Sequence, residues 1–239
     1  MDVYWLEQSE ADVPKEDNWL SAGEATCLSG MRFVKRRTDW RLGRWTAKQA
    51  LAACLHIPNR PSALAEIEVR AAPSGVPEVF VANQPAALCV SLSHRAGWAA
   101  CSLARTPADL GCDLETIEPH GQAFVADYFT AEEQSRIAQV SASDQPRLVA
   151  LLWSGKESTL KALHTGLRLD TRSVVIHPGG TSFHVHGWQP LEVRCANARV
   201  FHGWWRCADS FVRTVVAAPP PSPPTLLEVP HLSGAATHS

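Results

Sequence analysis

At 239 residues, 45% of them hydrophobic and 19% charged, the chain can bury a substantial core in one domain of two lobes or in two small domains. Its 22 basic and 24 acidic residues leave a formal net charge of −2, which excludes a nucleic-acid binder held by bulk counterion release. Seven cysteines without a C-x-x-C pair, a start unlike a signal peptide and no apolar run of spanning length lead to the expectation of a soluble cytoplasmic protein with reduced thiols and no membrane partner.

Residues 3–6 read as a short strand and Trp19 to Leu28 as a surface helix. Arg32 to Leu51 reads as a basic helix. Arg37, Arg41, Arg44 and Lys48 recur at spacings of three and four, a row of cations suited to a polyphosphate, although a solvated basic face has the same pattern. Pro58 to Pro61 ends that helix, Ile67 to Arg70 alternates as a strand, and Ser74-Gly75-Val76-Pro77 forms a turn. Leu88 to His94 and Trp98 to Ala104 make a hairpin with His94 at its tip, where Ser93 and His94 can donate to an anion.

Leu110 to Glu115 follows as a buried strand with Asp113 and Glu115 on one face. Two carboxylates so close repel, and a hard cation with oxygen ligands resolves the repulsion; acidic strand ends in water carry the same pattern. Gly121 to Tyr128 reads as a short helix, and Thr130-Ala131-Glu132-Glu133 as a capping box opening another through Val140. A long helix then has Pro146 in its first turn and Gly166 just past its end. Trp153, Glu157 and Lys161 form one stripe along it, bringing a carboxylate and an ammonium together beside apolar packing.

Segments 173–176, 182–186, 191–194, 204–207 and 211–217 read as a β-meander, with His184 and His186 sharing a strand face and more apt to meet solvent than metal. The run Pro219-Pro220-Pro221-Ser222-Pro223-Pro224 reads as an extended tail without packing. The organisation expected is residues 1–109, residues 110–218 carrying the metal site, and a Pro-rich tail over 219–239.

Ser91-Leu92-Ser93-His94, Gly111-Cys112-Asp113-Leu114-Glu115 and Trp153-Ser154-Gly155-Lys156-Glu157-Ser158 with Lys161 resemble, in this order, the motifs of the 4'-phosphopantetheinyl transferase superfamily. The length and the segment Gly43-Arg44 to Lys48 resemble its long surfactin-synthetase-activator type. That resemblance implies an α+β fold of two similar lobes forming a pseudo-dimer, with coenzyme A in the cleft between them and a monomeric state. It implies transfer of the phosphopantetheine arm of coenzyme A to a serine of an acyl or peptidyl carrier protein, releasing adenosine 3',5'-bisphosphate; the alternative is a non-catalytic coenzyme A binding paralogue. On the same basis Asp113, Glu115 and Glu157 are the Mg2+ ligands, and Glu157 is also the base for the serine. Lys161 faces the leaving phosphate, Ser93 and His94 contact the pyrophosphate, His94 counting also among the catalytic residues, and Arg37, Arg44, Lys48 and Lys156 contact coenzyme phosphates. Val76 stands where many relatives have lysine, and Arg95-Ala96-Gly97 replaces a commoner small-residue turn. Residues 116–129, with Phe124 and Tyr128, are the expected carrier-docking segment.

Overall fold

The computed structural model describes residues 1–180, 183 and 187–229. Its elements in chain order are β1 (Tyr4–Ser9), α1 (Ala22–Ser29), α2 (Val34–Leu55), α3 (Pro61–Ala65), β2 (Ile67–Ala71), β3 (Pro77–Val81), β4 (Gln84–Pro85), β5 (Cys89–Arg95), β6 (Trp98–Ala104), β7 (Asp109–Thr116), α4 (Gln122–Tyr128), α5 (Ala131–Gln139), α6 (Gln145–Ala162), β8 (Val174–Pro178), β9 (Gln189–Cys195), β10 (Val200–Ala208), β11 (Phe211–Ala218) and β12 (Thr225–Leu226). This mixed helix and sheet content agrees with the α+β expectation. The expected strand over 182–186, with His184 and His186, falls outside the described residues.

Strands β12-β1-β6-β5 form one sheet, β7-β11-β10-β9-β8 a second and β2-β3-β4 a third. The meander expected downstream of α6 is present as the antiparallel run β8 to β11. Helix α2 lies on the first sheet through Leu51, Cys101 and Leu103, and α6 lies on the second through Leu152, Leu160, Val212 and Val216. The opposite faces of the two sheets meet through small residues, among them Ala100, Ala104, Cys112, Val215 and Ala217, which permit close approach. A bidentate ion pair crosses this seam: Arg213 reaches Glu7 at 2.6 and 2.8 Å. All seven cysteines are free, and no helix among the described residues is long and apolar enough to cross a membrane.

Two buried lysines repeat one construction. Ser21 and Glu24 form a capping box at α1; Glu24 also accepts from the Val69 amide and pairs with Lys48 at 2.5 Å, while Lys48 donates to the carbonyls of Trp19 and Leu64. Thr130 and Glu133 form the equivalent box at α5; Glu133 accepts from the Ile176 amide and pairs with Lys156 at 2.9 Å, while Lys156 donates to the carbonyls of Thr171 and Val174. Both lysines are 0% exposed, so burial lowers their pKa while the glutamate partners oppose that shift. Each lysine thereby ties a long helix to a capping turn and to a strand.

Gly111 sets the distance between β7 and α6. A Cβ there would overlap the Ser158 carbonyl oxygen and lie 2.8 Å from the Ala162 amide nitrogen, so strand and helix touch backbone to backbone. Gly111→Ala is expected to destabilise the protein by about 1–3 kcal/mol, because the overlapping atom belongs to backbone and cannot rotate away. Urea denaturation checks this; an unchanged midpoint would show that the contact tolerates a methyl group.

The Pro-rich segment departs from expectation. Instead of leaving the fold at Pro219, the chain returns: β12 pairs in parallel with β1, and the amides of Ser222, Thr225 and Leu227 donate to the carbonyls of Met1, Val3 and Trp5. Pro221 and Pro224 are buried. Composition suggests an unpacked tail, but without this segment β1 would be an edge strand, and its carbonyls are met by the returning chain.

Candidate functional site

Edge strands β5 and β7 lie side by side at the seam, joined through side chains. The Ser91 hydroxyl accepts from the Cys112 amide at 2.9 Å, and the Ser93 hydroxyl donates to Asp113 Oδ1 at 2.7 Å. Pleating alternates β7: Leu110, Cys112 and Leu114 enter the core between the sheets, and Asp113 and Glu115 face the other way. Burial pushes the Cys112 thiol up to about 11, leaving it a neutral, small core group.

Helix α6 brings Lys161 to this face, where its ammonium donates to Asp113 Oδ1 at 2.8 Å and to the Cys112 carbonyl at 2.9 Å. Burial opposes its charge, but Asp113, Cys112 and Glu157 outweigh burial and hold its pKa above the ordinary lysine value. Glu157, one turn earlier, is half-buried and has no hydrogen bond or ion pair among the described residues. Burial, with Asp113 and then Glu115 adding to it, raises its pKa against the pull of Lys161. Glu115 is raised likewise by burial and by Asp113, and is opposed by Arg95, whose guanidinium sits 2.8 Å away. Asp113, Glu115, Glu157, Lys161 and Ser93 therefore share one electrostatic site.

Among the described residues no three His, Cys, Asp or Glu side chains stand ready to hold a metal ion. Asp113 Oδ1 is taken by Ser93 and Lys161, and Glu115 by Arg95 and Thr116. Asp113 Oδ2, however, is buried without any hydrogen-bond partner. An orphaned carboxylate oxygen that shares its surroundings with the carboxylates of Glu115 and Glu157 fits a hard divalent cation.

A cleft of about 650 Å³ opens beside Lys161. Ser74 to Pro77 form one wall; Ser91 and Leu92 of β5 and Leu110 of β7 contribute to its lining, and His164, Thr165, Gly166 and Arg168 follow the end of α6. Neither His164 nor Arg168 belongs to a motif visible in the sequence. Their signal is positional: residues just past a helix that ends at a charged stripe line whatever that stripe faces.

Four residues expected at the coenzyme phosphates lie elsewhere. Lys48 and Lys156 are the buried lysines described above. Arg37 donates to the carbonyls of Leu28 and Met31 at the end of α1, and Arg44 stacks over Trp40 with Glu24 nearby at 3.8 Å. Arg41, from the same row, holds Asp17 and the Pro14 carbonyl. The row of cations on α2 thus faces α1 and the loop before it; Arg37, Arg41 and Lys48 donate inside the chain, and Arg44 Nε is buried without a hydrogen-bond partner. His94 is exposed at the other end of β5, in a shallow depression with Phe33, Lys35, Arg36, Asp39 and Trp40. Ser93 bonds Asp113, one step inward.

An aromatic cluster flanks the site. Phe124 stacks on His120 at 4.4 Å between ring centres and meets Tyr128 at 4.9 Å; both Phe124 and Tyr128 pack edge-on against Trp153, which shares the helical stripe of Glu157 and Lys161.

Residues 109–215, from the start of β7 into β11, match the model of the 4'-phosphopantetheinyl transferase superfamily. The crystal structure of holo-[acyl-carrier-protein] synthase from Thermotoga maritima is similar at 19% identity and a TM-score of 0.34; the likeness covers 45% of this chain and 61% of that one, under two thirds of its length. No curated protein matches the chain.

Proposed function

We propose that the chain transfers the phosphopantetheine arm of coenzyme A to a serine of an acyl or peptidyl carrier protein, releasing adenosine 3',5'-bisphosphate, in the manner of the long surfactin-synthetase-activator type. The observation that carries this reading is the partnerless Glu157 beside an Asp113 with one orphaned oxygen and a Lys161 already aimed at the same point. Phosphoryl transfer requires positioning and charge stabilisation more than covalent help, and these residues supply both. Asp113, Glu115 and Glu157 would hold Mg2+, which when bound neutralises charge on the pyrophosphate. Glu157 takes the proton of the carrier serine hydroxyl, and Lys161 faces the leaving phosphate. The repeated glutamate-lysine construction supports two similar lobes forming a pseudo-dimer within one monomeric chain, residues 1–109 and 110–218, and a cytoplasmic location agrees with that substrate pair. A coenzyme A binding paralogue without transfer would have no need of an unpartnered carboxylate beside a lysine.

Intact mass spectrometry of an apo carrier protein incubated with the protein, coenzyme A and Mg2+ tests the proposal. A mass gain of one phosphopantetheine is expected, abolished by chelator and reduced at least about a hundredfold in rate by Asp113→Ala. Full turnover in that variant would remove Asp113 from the site.

The two substrates are assigned to different surfaces. Coenzyme A occupies the cleft, whose lining includes the Arg168 guanidinium and the His164 imidazole together with the uncharged Val76. The carrier meets the aromatic face of α4. Arg168→Ala is expected to raise KM for coenzyme A about tenfold and leave KM for the carrier unchanged, and the double replacement Phe124→Ala with Tyr128→Ala to do the reverse. Steady-state kinetics with each substrate varied separately distinguishes them; a shift of both constants in either variant contradicts the assignment.

A further inference from the structure

Arg95 ends β5, immediately before the turn at Ala96 and Gly97, and its guanidinium engages three groups. Nε lies 2.8 Å from Glu115 Oε1 and 3.1 Å from the Thr116 hydroxyl, and a terminal nitrogen lies 2.7 Å from Glu118. Of these, Glu115 is almost fully buried, while the arginine is 42% exposed and Glu118 49% exposed. The arginine therefore reaches in from solvent to neutralise a buried carboxylate, and keeps a second, outer carboxylate on its other side.

Glu115 Oε1, an oxygen that a divalent ion would need, is held by Arg95 at 2.8 Å, whereas Asp113 Oδ2 has no hydrogen-bond partner. A cation binding at Glu115 therefore competes with the guanidinium, which Glu118 also holds from the outer side. The turn behind it stays fixed, its Gly97 carbonyl accepting from the Glu10 amide at 3.0 Å.

We infer that Arg95 is a resident counter-cation of the metal site, occupying the Glu115 carboxylate until a divalent ion displaces it, and that it thereby sets the metal affinity of this protein. The inference rests on the metal-dependent reading above. It gives Glu115 a counter-charge within the chain, as Lys161 gives one to Asp113. Metal loading is then an exchange of one cation for another, and the affinity measured is a difference between two occupancies.

Mn2+ binding, detected by loss of the free-ion electron paramagnetic resonance signal, tests this on the full chain without coenzyme. Removing the competing cation by Arg95→Ala is expected to tighten Mn2+ binding about threefold to tenfold. Arg95→Lys, which restores a cation at the same place, is expected to return the dissociation constant toward the unsubstituted value. Asp113→Ala added to Arg95→Ala is expected to abolish binding. A merely structural arginine would lower thermal stability without tightening binding. Asp113-dependent binding that is unchanged or weaker in Arg95→Ala overturns the inference and leaves the metal site standing. Absence of Asp113-dependent binding in every form overturns the metal site and the inference with it.

Discussion

Glu157→Gln is expected to slow phosphopantetheine transfer about 10²- to 10⁴-fold, the range for removal of a positioned general base. The amide keeps the shape of the carboxylate and can still lie against a cation through its oxygen, but it cannot take a proton from a serine hydroxyl. Affinity for coenzyme A should change little, because Glu157 does not line the cleft beside Lys161. Stability should hold or rise, since Glu157 is surrounded by Asp113 and Glu115 and its burial already disfavours the charge. Single-turnover kinetics together with thermal denaturation separate these effects. A variant that transfers at the original rate would leave Glu157 as metal ligand or bystander, with the base elsewhere.

Lys156→Ala is expected to cost about 3–5 kcal/mol of stability, because it strands Glu133 as an unpaired charge in the core and leaves the carbonyls of Thr171 and Val174 without a donor. Any fraction still folded should bind coenzyme A as before, since a lysine with 0% exposure cannot touch it. Combining Lys156→Met with Glu133→Leu should recover part of the loss by replacing ions with apolar volume, although the Ile176 amide and the α5 cap then lack their acceptor. Denaturation curves for the single and double variants provide the check. A stable Lys156→Ala with a raised KM for coenzyme A would restore this lysine to the phosphate contacts.

Local periodicity made much of the site legible. A period of two places Asp113 and Glu115 on one face of β7, and a spacing of four aligns Trp153, Glu157 and Lys161; both patterns involve only neighbours in one element. The fate of Lys156 was also legible from spacing: it shares its own stripe with Leu152 and Leu160, both buried, whereas Glu157 and Lys161 share one with half-buried Trp153. Lys48 likewise lies three residues from both Trp45 and Leu51. Spacing along one element could not supply the partner. Glu24 and Glu133 are remote in sequence from the lysines they neutralise, and their capping boxes read locally as helix starts. The meeting of β5 with β7 is likewise invisible along the chain, since Ser93 finds Asp113 through side chains at a sheet edge and no ladder pattern announces it.

The returning segment 221–229 has a practical side. Without residues 222–227, β1 would expose a bare edge of amides and carbonyls on which another molecule's strand could add, the usual beginning of aggregation. The native cover is a poor template for further growth: it pairs over only two residues and is preceded by Pro223 and Pro224, which have no amide hydrogen to offer an incoming strand. A shortened form designed to end at the proline run would discard the piece that keeps the sheet closed to its neighbours.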